Sequence, residues 1–359
     1  MPRIKAGACW VVRAFDIGYQ IDLARCDGCY DEPAERPQFP RRHRSPDEFG
    51  YTPAPVRITR PRPAVTVGGL STDGQISVTI YDFAGISVVH RFDLQGRALE
   101  ELVAFSAELD DDATLETEAR RAASDLLARI GQAVDRPELA GISEDYVLWE
   151  LCAFEDGADP AGTLERWPDV YAKIIRAEPV DLSPQEVSAA IAQRLSYSRN
   201  DMTLVDWNGA LLLGPEDPDV RAVLEFANVE LLEMRLLDAR LDHGMEEAAA
   251  IVGRGRPSKA AVARVAHLQL DSVFLFEAVN SALKLIGVQY LAKVYHLASA
   301  SFQLESWDDT ILRKTRVLND TYEKLESRAS AVRMELLEVA IAVLIVFEIV
   351  FSVFVFFAT

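Results

Sequence analysis

The sequence has 359 residues and a formal net charge of −19, from 37 lysines and arginines against 56 aspartates and glutamates. The length allows two or three compact units, and the acidic balance argues against broad nucleic-acid binding, which needs a basic face to replace counterions. Four cysteines are too few for a disulfide framework in a chain of this length and fit a reducing cytosolic setting.

The N-terminus runs at once into Cys9-Trp-Val-Val-Arg-Ala-Phe15 without a long apolar stretch, so no secretory signal is expected. Residues 8–15 and 64–68 look extended, and Asp31 to Pro63 reads as an irregular loop rich in Pro and Arg. Ile76 to Phe83 and Ile86 to Phe92 alternate around Ala84-Gly85, as a hairpin would. A helical stretch from Ala98 to about Val134 should break at Asp110-Asp-Asp112, and Tyr146 to Phe154 reads as a strand.

Ser183-Pro184-Gln185-Glu186 combines an N-cap, Pro at the first helical position and Glu at the third, so a helix should run from there to about Tyr197. Asn208-Gly209 between Met202–Trp207 and Ala210–Leu213 predicts a tight hairpin, because both turn positions of that type need φ > 0. Residues 1–214 are thus expected to form an α+β domain.

The second half reads as long helices. Asp217-Pro218 should cap one that runs to about Val252, with Leu224, Ala227, Leu231, Met234, Asp238, Leu241 and Met245 on its seam. Gly253 to Pro257 breaks it, and a second helix is expected from Ser258 to about Gln303. Ser306 and Asp309 look like a capping box opening a third. Ile311, Thr315, Leu318, Tyr322, Leu325, Ala329, Val332, Leu336, Val339 and Val343 then repeat by four and three, a heptad seam that either packs within the chain or pairs copies of it. Residues 217–335 therefore read as an antiparallel bundle with a coiled-coil-like stalk.

Val339 to Ala358 reads VAIAVLIVFEIVFSVFVFFA, with Glu348 its one ionisable side chain. Twenty helical residues span about 30 Å, a bilayer's hydrocarbon thickness. Residues 336–359 are accordingly expected to be a transmembrane tail anchor, and Lys324, Arg328 and Arg333 before it place the N-terminal side in the cytoplasm, at a cell inner membrane. Glu348 would be either a protonated carboxyl bonded to a neighbouring helix or part of an ion or proton pathway.

Little catalytic chemistry is visible. Cys26-Asp-Gly-Cys29 is a lone C-x-x-C, either two ordinary cysteines at a turn or a metal or redox pair. The histidines at 43, 90, 243, 267 and 296 lack ligand-like spacing. Glu230, Glu233, Arg235, Asp238, Arg240 and Asp242 read as ion pairing on an exposed helix or as a binding surface.

The order Arg13-Ala-Phe-Asp-Ile-Gly18, Ile21-Asp-Leu23, Ala190-Ile-Ala-Gln-Arg-Leu195, Val205-Asp-Trp-Asn208, Leu224-Glu-Phe-Ala-Asn-Val-Glu-Leu-Leu-Glu233, Ala282-Leu-Lys-Leu-Ile-Gly287, Tyr290, Tyr295 and Leu336 to Ile345 before Glu348 resembles the required for meiotic nuclear division (YagE-like) family of bacterial and mitochondrial membrane proteins. The resemblance implies a membrane protein whose eukaryotic relatives support translation at the mitochondrial inner membrane, and it brings no catalytic residues.

The resulting expectation is a membrane-anchored, oligomeric scaffold or tether, not an enzyme, that recruits a cytoplasmic protein partner. The alternative is an oligomeric channel- or transport-like assembly lined by Glu348. The partners expected are membrane lipid, further copies of the chain and an unidentified cytoplasmic protein, with no direct nucleic-acid binding, cofactor or metal.

Overall fold

The computed structural model describes residues 1–26, 34–36 and 53–253, parts of 263–277, and 289–358. The side chains of residues 252–253, 325, 328–333, 335–336 and those beyond 348 are outside the description. Two compact units emerge, Met1–Arg235 with Glu277–Ser306, and Leu236–Phe276 with Trp307–Thr359.

The first unit is built on a mixed sheet. Its strands are β1 (Ile4–Asp16), β2 (Gln20–Ile21), β3 (Ala34–Glu35), β4 (Val56–Pro61), β5 (Thr66–Val67), β6 (Leu70–Ile80), β7 (Gly85–Asp93), β8 (Val134–Asp135), β9 (Glu144–Phe154), β10 (Arg194–Leu195), β11 (Met202–Val205) and β12 (Gly209–Leu213). Among the described residues the order across the large sheet is β10-β11-β12-β9-β1-β7-β6-β4-β3, with β5 attached to β6, while β2 and β8 pair separately. Neighbours run antiparallel except β12 and β9, which are parallel from Gly209 opposite Val147 to Leu213 opposite Leu151. Parallel strands need a long crossover, and residues 155–208 supply it with α3 (Pro160–Arg166), α4 (Pro168–Arg176) and α5 (Pro184–Ala190) besides β10 and β11.

The long central strand β1 is rich in Val and aromatic residues that suit a pleated, two-sided buried surface. Side-chain alternation sends its residues to opposite faces. Cys9 and Val11 join a core with α1 (Glu101–Asp110) and α4, while Phe15 joins one with α2 (Ala113–Ile130). Trp10 points the other way, where Arg221 of α6 (Pro218–Gly253) lies 4.5 Å from its ring centroid. The acidic run breaks the helical stretch where expected: α1 ends at Asp110, and the Asp112 side chain caps α2 by accepting from the amides of Thr114 and Leu115.

Local differences from the sequence reading have physical causes. The loop expected over 31–63 contains β3 and β4, and β4 pairs along its length with β6; residues 37–52 lie outside the described residues. The α5 helix stops at Ala190, because Arg194 and Leu195 pair with Leu204 and Thr203. The hairpin at Asn208-Gly209 exists, yet Gly209 is the first strand residue of β12 and neither turn position has positive φ. Glycine is required there by proximity, since a Cβ would lie 2.5 Å from the Val147 carbonyl oxygen. At the other hairpin Ala84, not Gly85, takes the left-handed conformation (φ 72°).

In the second unit the later part of α6 and the helix α8 (Leu304–Ala358) bury Leu241, Ala248, Ile251, Ile311 and Leu318. Lys314 Nζ lies 2.6 Å from a carboxylate oxygen of both Asp238 and Asp242. Between these helices the chain is helical in the described parts of 263–277 and in α7 (Gln289–Ser301), and the middle of the single helix expected over 258–303 lies outside the described residues. Helix α8 starts at Leu304, ahead of the expected cap at Ser306, directly after Gln303 in a left-handed conformation (φ 54°).

The expected fold class must be corrected at its C-terminal end. Among the described residues no helix is long and apolar enough to cross a membrane. The transmembrane tail anchor over 336–359 is withdrawn on that finding, and the inner-membrane placement and orientation that rested on it fall too. Leu337, Val339, Ile341 and Val343 to Phe347 are 52 to 67% exposed on α8; the side chains from 349 to Ala358, half of the stretch read as a span, lie outside the described residues.

Candidate functional site

The buried polar side chains of α6 form the first unit's most unusual feature. Glu225, Asn228, Glu230 and Glu233 are 5, 1, 2 and 1% exposed. Burying carboxylates is costly unless they are paired, and β4 and α7 supply partners. Arg57 Nη2 of β4 donates to Glu225 Oε2 at 2.7 Å, and Tyr295 of α7 donates its hydroxyl to Glu230 Oε2 at 2.9 Å. Two further ion pairs join the helix to β9: Arg221 Nη1 donates to Glu150 Oε1 at 2.5 Å, and Arg235 pairs with Glu144. The solvated ion-pair face expected for Glu230 and Glu233 is therefore corrected: both are buried.

Where β1 ends and β9 begins, a cavity of about 120 Å³ opens. Arg13 pairs across the strands with Asp145. The cavity reaches around the sheet end, because Arg13 bonds Glu116 of α2 at 2.8 Å on one face while Asn228 of α6 bonds the Glu144 carbonyl at 3.2 Å on the other. Its walls include Trp149, Trp207 and Phe302, the last stacked edge-on against Tyr146 at 5.0 Å and Trp207 at 6.3 Å.

Two buried polar atoms at this cavity lack hydrogen-bond partners among the described residues, Arg13 Nε and Asn228 Oδ1. The mouth is acidic. Burial raises the pKa of Asp110, and the nearby Asp145, Asp111 and Glu178 carboxylates raise it further. Burial and the Arg13 charge lower His90 to about 4, so it is neutral at pH 7.

The residues singled out in the sequence fall elsewhere. Glu348 is an exposed residue of α8. Of the stalk seam Leu318 is buried and Tyr322 half-buried, and the side chains of Leu325, Val332 and Leu336 are outside the described residues; of the expected span limits Val339 is exposed and the side chain of Ala358 is outside the described residues. Cys26 is buried and Cys29 lies outside the description. Burial holds the Cys9 thiol well above its usual pKa, and burial with nearby Glu150 and Glu216 raises Cys152 to about 11. Neither is a ready thiolate. Among the described residues no group of three or more His, Cys, Asp or Glu side chains is arranged to hold a metal ion.

Sequence reasoning missed Arg13, Glu144, Asp145, Asn208 and Asn228 as a group. One signal was available: Glu225, Asn228, Glu230 and Glu233 interrupt an otherwise apolar stretch of helix, Val223 to Met234.

Comparison with known proteins fixes the family. Residues 6–219 match the N-terminal domain of the uncharacterized protein MJ0711. The chain belongs to that family. The MJ0711 protein of the archaeon Methanocaldococcus jannaschii is 20% identical over 216 residues, 58% of this chain and 66% of that protein. The match thus covers just under two thirds of that relative's length. No solved structure matches the chain. The resemblance to the YagE-like family is thereby corrected, together with the bacterial and mitochondrial setting it implied: the matched family is a different one and the relative is archaeal. The MJ0711 family match ends at the start of α6, so it covers the sheet and its crossover helices rather than the long helices.

Proposed function

We propose that the chain is a self-associating scaffold, in which residues 1–214 form the body that recruits a protein partner and the long helices hold copies together. The observation that carries this reading is the exposed apolar surface of α8, where Met334, Leu337, Val339, Ile341 and Val343 to Phe347 are 52 to 67% exposed. Monomeric chains rarely leave apolar patches of that extent bare, and such patches mark association surfaces. A second copy is the favoured occupant because the heptad seam is continuous. Its early members Ile311 and Leu318 are 1 and 0% exposed within the chain, and the same spacing carries on to Val339 and Val343 at 60 and 61%.

The test is the mass of the full chain by light scattering over a concentration series, with and without Val339→Asp and Val343→Asp. A multiple of the monomer mass that falls to the monomer in the double variant, with far-UV circular dichroism unchanged, is the expected result. A wild-type chain that stays monomeric at every concentration overturns the scaffold.

A further inference from the structure

We propose that the cavity at the end of β1 and β9 binds a small ammonium compound that carries a hydrogen-bond acceptor of its own, such as an amino alcohol or an aminoamide. The ammonium group would face Asn228 Oδ1 and the acidic mouth, and the acceptor would face Arg13 Nε.

Size comes first. About 120 Å³ is enclosed, of the order of the roughly 150 Å³ engineered cavity that admits a benzene ring. A ligand of a few heavy atoms fits and a nucleotide does not.

The hydrogen-bonding demand comes from two side chains that are nine-tenths or more buried. The Asn228 amide is 1% exposed and already spends its NH₂ on the Glu144 carbonyl, leaving Oδ1 as an acceptor in need of a donor. The Arg13 side chain is 9% exposed and spends Nη1 on Glu116, leaving Nε as a donor in need of an acceptor. A buried donor or acceptor left unmade costs about 1–3 kcal/mol. Both residues line the cavity, so it offers its ligand one demand for a donor and one for an acceptor.

Charge selects the ammonium. Asp110 and Asp145 are exposed residues of the lining, whereas the Arg13 guanidinium is engaged with Glu116 and the lining Glu144 is paired with Arg235. The local field is net negative and draws cations. Aromatic walls add to that preference, since an indole face attracts an ammonium. Trp149 is 1% exposed and Trp207 50% exposed, and both line the cavity.

The experiment is a calorimetric and tryptophan-fluorescence titration of the full chain with glycinamide and ethanolamine. Glycolamide, which replaces the ammonium by a hydroxyl, and ethylammonium, which lacks an acceptor, are the controls. Saturable binding of glycinamide or ethanolamine is expected, with glycolamide and ethylammonium each weaker by about tenfold, the size of one charge-assisted hydrogen bond. Asp145→Asn alters an exposed side chain and should weaken binding by about the same factor while leaving the melting temperature unchanged; Trp207→Ala, which also loses its contact with Phe302, should weaken binding as much, with retained far-UV circular dichroism showing that the chain is folded. Asn228→Leu should abolish binding. A lack of any saturable response to both ammonium probes, meaning that water alone fills the cavity, overturns the proposal. So does glycolamide binding as tightly as glycinamide, or binding unchanged in Asp145→Asn and Trp207→Ala.

Discussion

Arg57 Nη2 donates to Glu225 Oε2 at 2.7 Å, joining β4 to α6 across 168 positions of chain. Glu225 is 6% exposed in its side chain and Arg57 27%, and the carboxylate raises the guanidinium pKa. Arg57 is held in place by a second contact, its Nε donating to Thr79 Oγ1 at 3.0 Å. Removing the cation alone strands a buried carboxylate. Arg57→Met should therefore lower stability by about 3 kcal/mol, and the double variant Arg57→Met/Glu225→Leu should regain most of that loss. Urea unfolding followed by tryptophan fluorescence checks both.

The neutral, buried state of His90 gives the fold an acid limit. His90 is 3% exposed, with its pKa lowered from 6.5 to about 4 by burial and by Arg13. Between those values the unfolded chain binds more protons than the folded one, so stability falls as pH drops through the window and is complete above it. The loss should approach about 3 kcal/mol near pH 4. His90→Phe should remove the slope between about pH 6.5 and 4, measured as urea midpoints at each pH; a slope unchanged in the variant would assign it to other groups.

Gly209 sits where β12 passes close to β9. A Cβ there would lie 2.5 Å from the Val147 carbonyl oxygen, which is backbone and cannot swing aside. Gly209→Ala should push the parallel pair apart and cost about 2 kcal/mol, within the range of overpacked sites. Gly69 has nothing within 4 Å of its Cβ position, but its φ of 72° makes Ala strained by backbone conformation instead. The Gly209 variant should therefore speed amide exchange in Gly209–Leu213 and Val147–Leu151, whereas Gly69→Ala should leave those amides protected. Equal protection in both variants would refute the steric account.

Much of the local structure could be read directly. The break at Asp110 to Asp112 is legible because an N-cap acts within its own turn, and Asp112 does accept from Thr114 and Leu115. The strand at 146–154 follows from apolar alternation, and β9 extends it by two residues to Glu144. The long helix α6 follows from its periodicity between Asp217-Pro218 and Gly253, and α8 from a stretch without Pro or Gly. Apolar patterning of 339–358 was not sufficient to establish what the segment packs against, because hydropathy reports a preference for leaving water and not the surface that receives it.

By itself the sequence determined the break and cap at Asp110 to Asp112, the strand from Tyr146 to Phe154 and the long helix from Pro218, since each depends on residues within a few positions. Only the tertiary structure decided that β12 lies parallel to β9, that Glu225, Asn228, Glu230 and Glu233 are buried, and that Arg13, Asp145, Trp207 and Asn228 meet at one cavity. Those positions are separated by up to 215 residues of chain between Arg13 and Asn228. Local periodicity carries no record of such pairings; they are set by strand register and by the partners that buried charges require.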